Sequence, residues 1–257
     1  MSNVRASAAP LITARTSIAV PADRWFFSAM ALAVALVVLA GFAPTYYLKG
    51  LYGTPTLSPL RHLHGVVFTL WIVLFVVQTA LISARRTGLH RRLGIAGGLL
   101  AAAMLFVGTT LAVEATRHPL PGVPSGLPPP LVFLVIPLSG LAEFTVLLAA
   151  GLYSRRKPDV HKRLMLLATV TLLPAALGRL VFPGGLLDVL GLPVGMLTLT
   201  AITALFVGAC LIYDRGTRGR VHPASVWGGA FLLGSQLLAL VVGGTAAWLT
   251  FARWLTR

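Results

Sequence analysis

A chain of 257 residues that is 57% hydrophobic and only 11% charged is not an ordinary soluble domain, where about 25% of residues are charged. A disordered chain is excluded too, because such chains lack this apolar content. The excess of 21 Lys+Arg over 6 Asp+Glu, formally +15, reads as the basic loops of a membrane protein and not as a nucleic-acid surface, so no nucleic-acid partner is expected. The single cysteine, Cys210, rules out an internal disulfide and lies in an apolar run, as a small buried hydrophobe does.

A bilayer core about 30 Å thick is crossed by about 20 apolar residues of helix. Seven stretches meet this requirement: 25–47, 63–84, 92–113, 130–153, 161–182, 190–213 and 225–251. The fold class is therefore all-α, a polytopic membrane helix bundle. Residues 1–24 read as a flexible cytoplasmic N-terminal tail and residues 25–257 as a single seven-helix domain. The first stretch exceeds the 7–15 apolar residues of a signal peptide and reads as a retained span. Ser58-Pro59 pairs an N-cap with proline at the first helical position and starts the second span. Thr87 and Asp159 are the expected caps of the third and fifth. The six prolines between His118 and Pro130 cannot continue a helix. Phe182-Pro183-Gly184-Gly185 is the expected stop of the fifth span, while Pro137 and Pro174 fall inside the fourth and fifth and predict kinks.

Lysine and arginine set the orientation. The tail and the 2–3, 4–5 and 6–7 loops hold fifteen of the 21 basic residues, from Arg5 and Arg15 through Arg85, Arg86, Arg155, Arg156 and Lys157 to Arg220. The other side keeps Lys49, Arg61, Arg117, Arg179, Arg253 and Arg257. The expected location is a bacterial inner membrane, with the N-terminus cytoplasmic, the C-terminus outside and the basic loops against anionic lipid. The seventh span contains no lysine, which excludes a retinal Schiff base there.

Two loops resemble each other. Residues 79–94 read TALISARRTGLHRRLG and residues 149–165 read AAGLYSRRKPDVHKRLM. Each has an apolar helix end, two arginines, a short turn, then histidine, a basic residue, Arg and Leu. The offset of about 70 residues predicts that helices 2–3 and 4–5 are parallel copies of one hairpin. Basic turns are common between spans, but that alone leaves the matching histidines unexplained. His90 and His161 would then lie at one depth, each in the first turn of its helix, where the helix N-terminus disfavours His⁺ and keeps the metal-ligating neutral imidazole.

Other polar residues inside spans are candidates by default. His64, Trp71 and Gln78 are seven residues apart, on one face of the second span. That stripe suits either a ligand or a hydrogen bond between helices from Gln78. The small residues Gly94, Gly97, Ala101, Gly108 and Ala112 suit either close helix packing or a flat ring. Glu143 is the one acidic residue well inside a span, about 15 Å from the helix end. Its burial favours a neutral carboxyl. Arg179 is its possible partner across an axial gap of about 12 Å. Glu114, Arg117 and His118 end the third span and are expected to join His64 and Arg179 in one outer polar cluster. No GxSxG, P-loop, HExxH or CxxC motif is present, and the sequence assigns no enzymatic activity.

The His90-Arg-Arg-Leu and His161-Lys-Arg-Leu-Met segments resemble the histidine-led helix starts of small bacterial multi-helix membrane proteins of the cytochrome oxidase assembly type. More distantly, they resemble transmembrane b-type cytochromes. The resemblance covers about residues 62–180. It implies haem b, or a transition metal, held by His90 with His161, and a weaker outer pair of His64 with His118. It also implies a role in electron transfer or respiratory-complex assembly, with respiratory-complex subunits as partners. The fourth span has no histidine to mirror His64. Two alternatives of other classes stand beside this reading. One is a small-solute or proton-coupled transporter using Glu143, and the other is a membrane scaffold without chemistry.

Overall fold

The computed structural model describes residues 21–53, 56–118, 127–181 and 195–257. Seven helical stretches are long and apolar enough to cross a membrane: Ala22–Tyr47, Pro59–Ser83, Thr87–Arg117, Pro130–Tyr153, Pro158–Val181, Met196–Arg218 and Pro223–Val242. No strand occurs among the described residues. The protein is an all-α, multi-pass membrane bundle. This is the architecture apolar segments adopt when every backbone N–H and C=O has to be bonded within its own segment.

The helices are α1 (Pro21–Phe42, extended by a π turn over Ala43–Tyr47), α2 (Pro59–Ser83) and α3 (Thr87–Arg117). Next come α4 (Pro130–Phe133), α5 (Val135–Tyr153), α6 (Pro158–Val170) and α7 (Leu173–Val181). The last are α8 (Met196–Arg218), α9 (Pro223–Val242) and α10 (Ala246–Leu255). Proline opens α2, α4, α6 and α9, where its missing N–H would have no intrahelical partner anyway. The Ser58 side chain accepts from the Arg61 N–H, so the predicted cap of α2 is present.

The fourth and fifth spans break as their prolines dictate. Pro137 cannot donate to the Phe133 carbonyl and Pro174 cannot donate to that of Val170. Helix α4 ends at Phe133 and α6 at Val170. The Thr171 hydroxyl donates to the Ala168 carbonyl at the second break.

Several boundaries differ from expectation. Thr87 and Asp159 do not cap: the N-cap positions are Arg86 and Lys157, neither with a side-chain cap, and both helices start earlier than hydropathy suggests. The span expected at 225–251 stops at Val242, because Gly243-Gly244 interrupts it and Thr245 caps a separate α10 by accepting from the Trp248 N–H. Residues 21–24 belong to α1, and Asp23 is buried. The expected tail before residue 21 and the Phe182-Pro183-Gly184-Gly185 stop lie outside the described residues.

Helix α2 packs along α3 and α5 along α6, as two hairpins. The fifth span, α6 with α7, is the most enclosed, with 61% of its apolar window buried against α1, α5, α8 and α9. Phe144, Leu166, Leu167, Val170, Leu173, Ala176 and Val181 form the centre of the core. Gly41 brings α1 onto the α7 backbone, since a Cβ there would collide with the Ala176 carbonyl. The two hairpins match in detail. His90 and His161 are each the fourth residue of their helix. The turns before them begin with the same bonds, Ala84 to Ala80 and Arg85 to Ile82 in one, Ser154 to Ala150 and Arg155 to Leu152 in the other.

Candidate functional site: two histidines at the basic end of the bundle

His90 and His161 meet. Their ring centroids are 6.2 Å apart and the rings are nearly perpendicular, at 85°. Each side chain is half-buried. The His161 Nδ1–H donates to the Gly151 carbonyl, across 2.8 Å. In the neutral ring that bond places the proton on Nδ1 and the lone pair on Nε2. A histidine whose other nitrogen donates to a backbone carbonyl has the usual outer-shell arrangement of a metal ligand. The Nδ1 of His90 is buried with no hydrogen-bond partner. Gln78 donates from Nε2 to the His90 carbonyl at 3.2 Å, and its Oε1 is likewise buried and unpartnered. One turn along α3, Gly94 faces only the Gln78 amide, which leaves room beside His90.

The other expected residues come together only in part. His64 stacks on Phe68, with centroids 4.0 Å apart, and its Nδ1 is buried without a partner. The His118 side chain is 73% exposed and sits 4.0 Å from Glu114, one turn back on α3. Among the described residues no ring contact joins His64 to His118. The outer pair is therefore not assembled, because His118 ends its helix facing outward. The expected outer cluster forms only in part: the Arg179 charge lies close enough to act on His64, and Glu114 lies beside His118. Arg117 donates to the Thr256 carbonyl. Arg179 donates to Thr45 Oγ1 and the Ala175 carbonyl and lies 4.2 Å over the Phe42 ring. It does not pair with Glu143, whose carboxyl oxygens are buried without a hydrogen bond. The small-residue stripe of α3 is filled by packing: Leu74 lies against Gly97, and Leu141 and Phe68 lie against Gly108.

No family model, curated protein or solved structure matches the chain. The reading of the site therefore rests on its own geometry.

A second polar group lies at the same end of the bundle, and hydropathy reasoning missed it. Arg163 and Asp214, each 1% exposed, form a two-pronged ion pair between α6 and α8. Asp214 also accepts from the Ser225 hydroxyl at 2.6 Å and the His222 N–H at 3.2 Å. Lys162 bridges Asp23 and Asp159, at 2.8 Å to each, and Arg218 joins Asp159 at 2.8 Å. The Tyr213 hydroxyl closes the group by donating to Asp23 at 2.7 Å. Three bases thus meet three acids, and α1, α6, α8 and the start of α9 are tied together. The signal was in the sequence: Asp23, Asp159 and Asp214, three of only six acids, all stand at the basic ends of spans. Read as orientation charges alone, Lys162, Arg163 and Arg218 lost their partners.

His222 sits beside this group as the N-cap of α9, its Nδ1 accepting from the Ala224 N–H at 3.1 Å. Burial, followed by the Arg163 charge, holds its pKa below the usual histidine value. The acceptor role requires the neutral ring, and the lowered pKa favours it.

Proposed function

We propose that this integral membrane protein serves electron transfer or respiratory-complex assembly in a bacterial inner membrane, with a b-type haem held between His90 and His161. The observation that carries the reading is the perpendicular pair of rings 6.2 Å apart, with the tautomer of His161 fixed by Gly151 and the Nδ1 of His90 left unpartnered. Two imidazoles sharing one metal at about 2 Å per bond put their centroids roughly 6 Å apart. Among the described residues no group of three or more His, Cys, Asp or Glu gathers to hold an ion. A haem would need only this pair from the protein, because its porphyrin would supply the remaining ligands. When bound, the haem would supply one-electron chemistry. The chain's own residues would orient it: Gly151 keeps the His161 Nε2 lone pair available, and Gln78 anchors the first turn of α3. Anionic lipid at the basic turns and subunits of a respiratory complex are the proposed partners.

The test is an optical spectrum with metal analysis of detergent-purified protein. A Soret band that shifts on reduction, with stoichiometric iron, is expected. It should be lost in His90→Ala and in His161→Ala and kept in His62→Ala. A preparation with no Soret absorbance and no bound Fe, Cu or Zn overturns the reading. Bound copper or zinc without a Soret band retains the histidine pair and replaces haem by an ion.

A further inference from the structure

The geometry points to a phospholipid seat between α3 and α10, at the end of the bundle opposite the histidine pair, built for a headgroup that carries both a phosphate and a primary ammonium. This inference is independent of the histidine pair.

Helix α10 lies across the ends of two spans. Its Trp248 indole N–H donates to the Leu131 carbonyl, at the start of the fourth span, across 2.8 Å. Just past its other end, the Thr256 carbonyl accepts from Nε of Arg117, the last residue of α3, at 3.0 Å. Ala252, between these two ties, is fully buried with Ala112 and Leu134. The rings of Trp248, Phe251 and Trp254 follow one another at 5.6 and 5.9 Å, and Trp254 is 64% exposed. Exposed tryptophans gather at the headgroup level of a bilayer. The length of α3 gives the same depth. Its 31 residues span about 46 Å, against a hydrocarbon core of about 30 Å. Its last turn, from Glu114 to Arg117, therefore stands among headgroups.

A groove of about 300 Å³ opens there, walled by Thr109, Thr110, Val113, Glu114 and Arg117 of α3 and by Leu255 of α10. The α3 residues form one stripe at helical spacing, with the two charges nearest the helix end. Arg117 spends only Nε on Thr256, so its two terminal amino groups are left to a ligand, and a guanidinium suits a phosphate. Glu114 is 44% exposed, and among the described residues the one basic group within 4.0 Å of it is His118 Nε2, at that limit. No ion pair joins Glu114 to Arg117 among the described residues, although they are one turn apart. A cation and an acid that face one groove without neutralising each other match a zwitterion. The lipid phosphate would sit on Arg117 and its ammonium on Glu114, with Val113 and Leu255 beside the start of an acyl chain. An anionic headgroup would satisfy Arg117 and be repelled by Glu114. A quaternary ammonium would keep its charge but offer Glu114 no N–H. Arg61, Arg179, Arg253 and Arg257 belong to the same end of the bundle but stand outside the walls of the groove.

The test titrates the full chain, purified in detergent, with phosphatidylethanolamine and with phosphatidylcholine of the same acyl chains, and counts bound lipid by native mass spectrometry. Both lipids are net neutral, so the basic turns at the other end do not bias the comparison. The wild type should hold one phosphatidylethanolamine roughly fivefold more tightly than phosphatidylcholine, the scale of a half-exposed ion pair. Phosphatidylglycerol at equal concentration should leave it bound. Glu114→Gln should erase the preference, and Arg117→Gln should weaken both lipids. Equal binding of the two neutral lipids overturns the proposal on wild-type protein alone, and so does displacement by phosphatidylglycerol. A Glu114→Gln protein that keeps the preference overturns it too, as does a dimer that closes this face and retains no lipid.

Discussion

Arg163 and Asp214 are buried to the same degree and pair across the α6–α8 contact, with Asp159 a looser neighbour of Arg163 at 3.9 Å. A buried ion pair gains little over a well-packed apolar pair, but removing one partner leaves an uncompensated charge and costs about 3–5 kcal/mol. Arg163→Met should therefore lower unfolding stability in detergent by about that amount, and adding Asp214→Leu should restore most of it. Equal loss in the single and double variants would show that the charge itself, and not its pairing, supports the bundle. The histidines at positions 90 and 161 were legible because a matching pair within matching loops has no explanation in orientation charge. The aspartates were not, because a hydropathy reading counts an acid at a helix end as a cap or a boundary and never asks what it faces. Glu143 stands out in the sequence as the one acid well inside a span, but Arg179, its possible partner there, is held by Thr45 and Ala175 instead. Axial rise gave the gap between them, while the direction in which Arg179 extends depends on the π turn of α1.

Among the elements, prolines were readable and glycines were not. A missing N–H names the carbonyl it abandons, so Pro137 and Pro174 located both breaks to within a residue. Gly243 and Gly244 lie within an apolar run that hydropathy carries through, yet they are where α9 ends and α10 begins. Backbone freedom is not visible on an apolarity scale. The cap of α9 carries a pH dependence. His222 must be neutral to accept from Ala224, and its folded pKa is lowered. The unfolded chain therefore binds the proton more readily, and its contribution to stability is complete above about pH 6.5. It is lost as the pH falls from there through the folded value. In a series of thermal melts, His222→Asn keeps a capping acceptor and should flatten the acid side of the profile relative to wild type. An unchanged difference between pH 7.5 and pH 5.5 would mean that the cap does not titrate.

At the scale of the molecule, seven spans and an all-α fold follow from composition alone, since the bilayer leaves an apolar chain few alternatives. Which helix lies at the centre did not follow. Hydropathy ranks the fifth span no higher than its neighbours, but its enclosure by α1, α5, α8 and α9 makes it the core. The basic turns gather at one end, where the ion-pair group joins α1, α6 and α8. The excess of basic residues on that side predicts its orientation. Fusions at the C-terminus should activate a periplasmic reporter and leave a cytoplasmic one dark, and fusions in the turn around Arg85 should do the reverse. The opposite pattern would invert the assignment.

The anchoring of Asp23 also has a temporal side. Its partners Lys162 and Tyr213 lie 139 and 190 residues further along the chain. A ribosome working at about 5–20 residues per second delivers Tyr213 roughly 10–40 s after Asp23. Until Lys162 is made, the first helix carries Asp23 without that counter-ion, and its end has to stay at the aqueous boundary. The first helix is thus the earliest to be synthesised, yet its anchoring waits for the fifth and sixth spans: a chain interrupted before residue 162 lacks both the Lys162 and the Tyr213 contacts.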